Sequence, residues 1–456
     1  MKKIYLISLG CDKNLVDAEK MLGMLTKDGF TVTDRPEEAD AILVNTCCFI
    51  GDAKEESIQA ILEMVPYKHA GKKVALLVTG CMAERYRSEV LETLPEVDAV
   101  VGTNAWQDIV AVVNGILSDG KREEVFCSLT ERHFDGQSSG GRLVTTGGHY
   151  AYLKIAEGCN KRCTYCIIPF LRGAQRSVPM EDLVAEAERL AADGVKELIL
   201  VAQETTVYGT DLYGKKMLPE LLRRLNDIEG LCWIRILYCY PEEVTDELVA
   251  AVKKLPKVCH YLDLPIQHAS DHILRRMARQ TTQAEIKERI AKLRQEIPDI
   301  ALRTTMISGF PGETDADHQI LCQFVREMEF DRLGDFAYSR EEGTKAAAYS
   351  HQVSRKVKEA RRDEIMQLQQ SVAFEKAKRQ IGRRLQVLIE GRVTDTEEAG
   401  NVYVARTYMD APGVDGYLYV NTGSREFMTG DMPFVLVTGA HGYDLVGELL
   451  PEQQKL

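Results

Sequence analysis

Three closely spaced cysteines constrain this chain more than any other feature of its sequence. Cys159, Cys163 and Cys166 follow an apolar run that predicts a strand from Tyr150 to Ala156. Thiolates at this density suit soft metals and iron–sulfur clusters, and in a four-iron cluster three cysteines leave one iron open to another molecule. A closed zinc site would need a fourth ligand from elsewhere in the chain. A chance run of exposed thiols is disfavoured, because unpaired exposed cysteine is rarely tolerated.

Length and composition indicate a soluble protein of several domains. The chain has 456 residues, of which 45% are hydrophobic and 28% charged, and typical domain sizes predict roughly three domains. The apolar run at its start is too short for a signal peptide, and no segment reaches the ~18 apolar residues of a membrane span. We therefore expect a cytoplasmic protein. In that compartment twelve cysteines favour metal ligation over disulfides.

Residues 1–118 alternate strand and helix patterns, which predicts an open parallel α/β sheet. The predicted elements are the strands Lys3–Leu9, Ala41–Asn45 and Val74–Val78 and the helices Leu15–Leu25, Glu55–Met64 and Ala83–Leu94. Cys11, Cys47 and Cys81 each stand just past the end of a strand, at the sheet edge where ligands bind. Any one of them could be an ordinary loop cysteine. Three at equivalent positions favour a second iron–sulfur cluster with an open iron.

Residues 119–144 have the glycine-rich composition of a linker, and the alternation resumes in residues 145–375. Six strand patterns alternate with helices there and predict a partial TIM-type (β/α)6 barrel, whose chemistry lies at the carboxyl ends of the strands. The predicted strands are Tyr150–Ala156, Glu197–Ala202, Trp233–Tyr238, Tyr261–Pro265, Leu302–Ile307 and Leu333–Ala337. Polar residues follow these strands, among them Gln203, Glu204 and the glycine-rich turn Ser308–Glu313. His268 is expected to position its neighbours and not to bind metal.

A charged helix from Ser354 to about Gln380 is expected to pack on the barrel as a connector. Residues 378–452 then predict a small five-stranded antiparallel β-barrel with glycine and aspartate in the turns. From Leu385 to Glu452 there are three arginines, no lysine and eleven acidic residues, a net charge of −8. The six cysteines without ligand spacing (48, 127, 232, 239, 259 and 322) are expected in the core.

The triplet resembles the CxxxCxxC signature of radical S-adenosylmethionine (SAM) enzymes, with Tyr165 at the aromatic position before the last cysteine. The resemblance extends almost end to end to the radical SAM methylthiotransferase family, which has an N-terminal cluster domain, a radical SAM core and a C-terminal TRAM barrel. The segments that carry it are Ser8–Cys11, Lys13–Asp17, Asn45–Cys47, Gly80–Tyr86, Cys166–Pro169, Tyr261–Ser270, Asp410–Pro412 and Asp415–Gly416. Cys48 stands where a glycine is usual. Of the two neighbouring cysteines, Cys47 is favoured as the ligand by its position just after the strand.

This resemblance implies two [4Fe-4S] clusters and SAM as cofactors. The cluster on Cys159, Cys163 and Cys166 would bind and cleave SAM, and the resulting 5′-deoxyadenosyl radical would abstract hydrogen from the substrate. The cluster on Cys11, Cys47 and Cys81 would deliver sulfur that a second SAM methylates. An electron donor such as flavodoxin or ferredoxin is expected. The implied SAM contacts are Tyr165, Gln203, Glu204, Ser308, Gly309, Pro311, Gly312 and Glu313.

Within the family the chain is most similar to the branch that methylthiolates the β-carbon of an aspartate in ribosomal protein uS12, free or in the small subunit. The alternative is the MiaB branch, which modifies an isopentenylated adenosine in tRNA. The acidic C-terminal barrel disfavours tRNA, because nucleic-acid affinity depends on Lys and Arg contacts, and suits a basic ribosomal protein. A distant alternative is a non-enzymatic iron–sulfur electron-transfer or binding protein. It is disfavoured because electron carriers saturate every iron with protein ligands.

Overall fold

Three six-stranded β-sheets divide the described part of the chain in the order that the sequence predicts. The computed structural model describes residues 2–68, 73–120, 122–131, 141–393 and 401–451. Within these ranges no helix is both long and apolar enough to cross a bilayer. Part of the predicted linker, including residues 132–140, lies outside the described residues.

The first sheet is parallel throughout, with strand order β2-β1-β3-β4-β5-β6. Its strands are β1 Lys3–Ser8, β2 Thr31–Val32, β3 Ala41–Thr46, β4 Ala75–Gly80, β5 Ala99–Val101 and β6 Glu123–Val125. Its helices are α1 Asp12–Lys27, α2 Gly51–Lys68, α3 Cys81–Tyr86, α4 Ser88–Thr93 and α5 Ile109–Asp119. Every residue of β3 and β4 is buried, as expected for central strands covered on both faces.

Two predictions about this region are wrong in detail. The stretch Ala83–Leu94 is not one helix: the chain turns at Arg87, whose φ is +44°, and this conformation separates α3 from α4. The strand β6 lies within residues predicted as linker, and it pairs with β5 at the sheet edge.

The second sheet contains six parallel strands in the order β14-β13-β12-β11-β10-β7, an open (β/α)6 barrel as predicted. Its strands are β7 Tyr150–Lys154, β10 Glu197–Val201, β11 Trp233–Ile236, β12 Val258–Asp263, β13 Ala301–Ser308 and β14 Arg332–Ala337, and a separate short pair comprises β8 Ala156–Glu157 and β9 Arg176–Ser177. The helices are α6 Ile168–Arg172, α7 Met180–Ala192, α8 Thr210–Tyr213, α9 Leu218–Asn226, α10 Asp246–Lys254, α11 Asp271–Arg276, α12 Gln283–Glu296 and α13 Asp315–Met328.

Alternate residues of the barrel strands pack in two different cores, because successive side chains of a strand point to opposite faces. On the outer face Leu198 and Ile234 pack against the helices. On the inner face Ile199, Trp233 and Tyr261 belong to a core shared with residues of the third sheet. The C-terminal domain therefore packs on the concave side of the open barrel.

The third sheet has the order β15-β19-β20-β18-β17-β16 and follows the connector helix α14 Arg355–Lys378. Its strands are β15 Arg384–Gln386, β16 Leu388–Arg392, β17 Val402–Arg406, β18 Leu418–Asn421, β19 Phe434–His441 and β20 Asp444–Leu449. The sequence predicts one strand over Leu385–Glu390, but the chain is split at Val387. The strands β15 and β16 therefore lie at opposite ends of the order, and the sheet curls on itself. The pair β18–β20 is parallel, unlike the all-antiparallel pairing that was predicted.

Buried ion pairs join the third sheet to the barrel. Glu197 of β10 accepts from Arg235 at 2.6 Å and pairs with Arg406 at 2.7 Å, and Arg406 in turn binds Glu390. Side chains of Glu197, Arg235 and Arg406 are completely buried, and each charge is matched by an opposite one. These contacts fix the C-terminal domain on the concave face.

Candidate active site

The cysteine triplet lies on a loop between β8 and α6, at the carboxyl edge of the barrel. Thr164, within the triplet, ties this loop to neighbouring segments: its amide donates to the Met277 carbonyl at 3.1 Å and its hydroxyl to the Arg276 carbonyl at 2.9 Å. The Cys166 amide donates to the Cys163 carbonyl and closes a turn. The Cys163 Sγ lies 3.5 Å from the Tyr240 hydroxyl. Cys163 and Cys166 are thus held in one turn, and the Cys159 amide is bonded separately to the Gly173 carbonyl at 3.1 Å.

The environment of these thiols fits metal ligation. Burial raises the pKa of the Cys159 thiol to about 11 and that of Cys166 to about 12, although backbone amides of Lys161 and Ile168 hydrogen-bond the two sulfurs and oppose that rise. A ligating cysteine must be deprotonated. Iron would supply the positive charge that stabilises these thiolates, and amide hydrogen bonds to the sulfur are a recognised feature of iron–sulfur sites.

Two predicted SAM contacts at the end of β10 have polar atoms without partners. The Gln203 side-chain amide donates to Glu157 Oε1 at 2.7 Å, which leaves Gln203 Oε1 buried and unbonded. Glu204 accepts from the Thr206 amide at 2.9 Å, and its Oε2 is likewise buried and unbonded. Burial raises the pKa of Glu204 to about 7. Buried polar atoms are normally satisfied, so these two oxygens fit a polar ligand such as SAM.

The turn Ser308–Glu313 follows β13, and two of its backbone amides already donate hydrogen bonds to a side chain of the same turn. Glu313 Oε2 accepts from the amides of Gly309 at 2.6 Å and Phe310 at 3.0 Å, and Arg361 binds the other oxygen at 2.9 Å. Those two amides are therefore not free for a ligand. The turn nevertheless lies near the triplet, because Tyr165 packs on the small core that contains Phe310.

The second cysteine set meets at the carboxyl edge of the first sheet. Register pairs Ser8 with Asn45 and Asn45 with Thr79, so the loops that carry Cys11, Cys47 and Cys81 start side by side. Gly10 has a φ of +86°, and a Cβ there would lie 2.9 Å from the Cys47 sulfur. Glycine is therefore required for the first loop to approach the second this closely.

Amide side chains link the same three loops. Asn14 donates to the carbonyls of Leu9 at 2.8 Å and Thr46 at 3.0 Å. Asn45 donates to the Asn14 carbonyl at 2.7 Å and accepts from Thr79 at 3.1 Å. This network holds the cysteine loops together without using their thiols, which leaves the sulfurs available for a metal cluster.

Cys48, next to Cys47, has a different environment from its neighbour. Its side chain is completely buried in an apolar core with Ile61 and Val78. Burial raises its pKa to about 11. The Cys47 sulfur instead lies against Gly10, the residue before Cys11. This arrangement favours Cys47 over Cys48 as a ligand.

A buried ionic network runs from Cys81 of the second set to Glu157, two residues before the triplet. Arg172 donates to Asp17 at 2.7 Å, to Glu157 at 3.0 Å and towards the Cys81 sulfur at 3.5 Å. Lys154 binds the same two carboxylates, Asp17 and Glu157. Sequence reasoning missed this network. Its one visible signal was a lysine within the apolar strand β7, because a charged residue in a buried strand needs a partner.

Neither cysteine set has the spacing of a single-ion site. Among the described residues, only His318, Cys322 and Glu364 bring three potential ligand atoms within 4.8 Å of one another. A four-iron cluster attaches each cysteine to a different iron and so spaces the sulfurs more widely than one ion does. The two triplets therefore fit clusters better than zinc.

Three family models match successive parts of the chain. They are Uncharacterized protein family UPF0004 over residues 3–102, the Radical SAM superfamily over residues 153–325 and the TRAM domain over residues 381–450.

Two solved structures have the same fold over most of the chain. One is TsrM from Kitasatospora setae, a radical SAM methyltransferase with cobalamin and a [4Fe-4S] cluster bound. Its TM-score is 0.54 at 14% sequence identity, and the match covers 74% of this chain and 75% of the TsrM chain. OxsB, a cobalamin-dependent SAM radical enzyme, has a TM-score of 0.52 at 12% identity over 80% of this chain and 56% of its own.

The open six-stranded barrel and its cysteine loop define a radical SAM enzyme, a class that uses SAM and a [4Fe-4S] cluster. Curated relatives narrow the assignment. The "Ribosomal protein uS12 methylthiotransferase RimO" of Lachnoclostridium phytofermentans is 56% identical over 98% of this chain and 99% of its own, and that of Acetivibrio thermocellus is 48% identical over the full length of both. The chain belongs to the RimO family of radical SAM methylthiotransferases.

Proposed function

We propose that this protein methylthiolates the β-carbon of a specific aspartate in ribosomal protein uS12. The observation that carries the proposal is the near full-length identity to relatives named for this activity, combined with a buried network that runs from Cys81 to Glu157, two residues before the triplet. The substrate is taken from the names of those relatives. Because their substrate is a ribosomal protein, we also assign the reaction to the cytoplasm.

Two cofactor sites follow from the two triplets. Cys159, Cys163 and Cys166 would hold one [4Fe-4S] cluster beside SAM, and Cys11, Cys47 and Cys81 would hold a second. When bound, the clusters and SAM supply the electron, the hydrogen-abstracting radical and the methylthio group. Support for the second cluster comes from the convergence of three loops at one sheet edge and from the amide network that leaves their thiols unused.

The polypeptide would position the cofactors and exclude water. Gln203 and Glu204 offer two unbonded oxygens to the cationic groups of SAM. Tyr165, Ser308, Gly309, Pro311, Gly312 and Glu313 would form the wall around it, with Glu313 holding the turn in shape through its bonds to two amides. Arg172 would fix the two cluster sites relative to each other, since it contacts Cys81 on one side and Glu157 on the other.

The partners of the reaction are uS12, free or in the small subunit, and an electron donor such as flavodoxin or ferredoxin. A tRNA substrate of the MiaB type is less well supported, because the relatives with near full-length identity carry the uS12 name.

Anaerobic reconstitution tests both clusters together. We expect about eight irons per chain, because two open triplets each bind a four-iron cluster. Cys163→Ala should retain about four irons and lose 5′-deoxyadenosine production. Cys81→Ala should also retain about four irons and still produce 5′-deoxyadenosine, but should not methylthiolate uS12.

Cys48→Ala is the matched control, because that thiol is buried in the apolar core beside Cys47. It should keep all eight irons, whereas Cys47→Ala should lose about four. An iron content near four that does not change in Cys47→Ala and Cys81→Ala would refute the second cluster. Equal loss of 5′-deoxyadenosine in Cys81→Ala and Cys163→Ala, with folding intact, would refute the separate roles of the two sites.

A further inference from the structure

One lysine between the first sheet and the barrel has a largely buried side chain whose ammonium has no anionic partner. The Lys13 side chain is 5% exposed, and its Nζ lies 3.2 Å from the centroid of the Tyr238 ring. In the part of the chain that the structure describes, this ammonium has no hydrogen bond and no ion pair. Lysine is almost never buried without a partner, since removing its charge from water is unfavourable. A ligand is therefore expected to supply the missing negative charge.

The neighbouring cationic side chains already have carboxylate partners. Lys154 and Arg172 both bind Asp17 and Glu157. Their charges serve the network that joins the two domains and are not available to a substrate. Lys13 differs from them because its contact is with the face of an aromatic ring, which attracts a cation without neutralising it.

The position of Lys13 links it to both cysteine sets. It lies in the first turn of α1, two residues after Cys11. Tyr238 follows β11 at the carboxyl edge of the barrel, and its hydroxyl donates to Asp12 at 3.0 Å. The ammonium therefore lies where the cysteine edge of the first sheet meets the mouth of the barrel. A substrate carbon that must meet both a radical and a sulfur atom has to enter at this junction.

We propose that Lys13 binds the side-chain carboxylate of the substrate aspartate and so selects aspartate at the reacting position. This inference rests on the proposed function. The carboxylate is bonded directly to the β-carbon, so an ion pair with Lys13 would place that carbon between the two cluster sites. A neutral asparagine would form no ion pair and would leave the ammonium buried without a counter-charge. The Tyr238 ring would hold the lysine from its other side.

Binding measurements on reconstituted protein test this assignment. The ligands are uS12 and a uS12 variant in which the modified aspartate is asparagine. The wild-type protein should bind the aspartate form at least tenfold more tightly. Lys13→Met, which keeps the length of the side chain and removes its charge, should bind both forms with the weaker affinity. Lys13→Arg, which restores the charge, should recover part of the preference.

Lys20→Met is a matched control, because Lys20 lies on the same helix and also faces an aromatic ring, that of Trp106 at 5.6 Å. It should keep the full preference for aspartate. Iron content and the circular dichroism spectrum should match wild type in both methionine variants, which shows that they fold. An unchanged aspartate preference in Lys13→Met would overturn the assignment, as would weakened SAM binding in that variant. If the wild-type protein modifies no uS12 at all, the proposed function fails and this inference fails with it.

Discussion

Two buried carboxylates at the carboxyl edge of the barrel have pKa values near neutrality. Burial raises the pKa of Glu204 to about 7 and that of Asp335 to about 8. Asp335 accepts from the Ser308 hydroxyl at 2.5 Å, and its second oxygen is unbonded. A protonated carboxyl is more easily buried than a carboxylate. These two residues therefore make the stability of the protein depend on pH.

The sign of that dependence follows from the direction of the pKa shift. Because the folded pKa of Asp335 exceeds its usual value of 3.8, the folded state binds the proton more tightly. The stabilisation is complete below pH 3.8 and is lost as pH rises through about 8. In Asp335→Asn this contribution disappears. Between pH 5.5 and 8 the free energy of unfolding of the variant should therefore fall less steeply than that of the wild type, and the two slopes should differ by about 1 kcal/mol per pH unit.

Denaturant unfolding at several pH values measures this difference. Asp34→Asn, which changes an exposed aspartate, serves as the control and should keep the wild-type slope. If Asp335→Asn also keeps the wild-type slope, Asp335 is ionised in the folded protein and the argument from burial is wrong.

At the scale of single elements, strand β10 contributes both to the site and to domain docking. Its carboxyl end leads to Gln203 and Glu204, whereas its first residue, Glu197, binds Arg235 and Arg406. Removing one member of a fully buried ionic network leaves an uncompensated charge. The start of the strand therefore holds the C-terminal domain, while its end leads to two of the residues proposed to bind SAM.

We predict that Glu197→Gln lowers the free energy of unfolding by about 3 kcal/mol or more, because both arginines lose a buried counter-charge. The matched control is Glu181→Gln, which removes a surface pair with Arg224 at 3.3 Å and should cost less than about 1 kcal/mol. Urea denaturation of the two variants measures both values. A loss below about 1 kcal/mol for Glu197→Gln would show that the network contributes little net stability.

The elements that sequence reasoning predicted are those with strong local patterns. The six barrel strands and the connector helix have long apolar or amphipathic runs, and each prediction overlaps the observed element. The fourth strand starts at Val258, three residues before its predicted start at Tyr261. The strands β5 and β6 are three residues each, too short to give a pattern. The break at Arg87 and the split at Val387 depend on backbone conformations imposed by tertiary packing, which residue periodicity does not contain.

The residues of the site also differ in whether a local sequence pattern reveals them. Cysteines at fixed spacing or after successive strands carry a local signal, so the structure brings both predicted triplets to the sheet edges where ligands bind. No local pattern reveals the roles of Arg172, Asp17 and Lys13, because the residues that they contact come from distant segments. Lys13 meets Tyr238 only when α1 packs over the barrel mouth. Such contacts could not be derived from one sequence.

At the scale of the whole molecule, part of the acidic charge of the C-terminal barrel is used in contacts within the molecule. Asp410 pairs with Arg332, and Asp415 accepts from Tyr261 at 2.8 Å; both aspartate side chains are buried against the central barrel. Glu390 pairs with Arg406 in the same interface. Residues 394–400 and 452, with four further acids, lie outside the described residues. Several of the eleven charges thus serve domain docking, and the assignment of uS12 rests on the relatives.

The concave face of the barrel receives both flanking domains. Val16 of α1 belongs to the same inner core as Leu385 and Tyr403 of the third sheet. Helix α1 also carries Lys13, Asn14 and Asp17, so the docking of the first domain places its cysteine edge against the barrel mouth. The proposed reaction needs this arrangement, because one substrate carbon would have to reach both proposed cluster sites.

Mass spectrometry of uS12 from cells with and without this gene, together with nucleoside analysis of their tRNA, tests the central claim most directly. We predict a methylthio modification on one aspartate of uS12 that disappears when the gene is deleted. The wild-type gene should restore it, and the Cys163→Ala variant should not. Methylthio-adenosine in tRNA should not change. Loss of the tRNA modification with uS12 unaffected would contradict the account and assign the protein to tRNA.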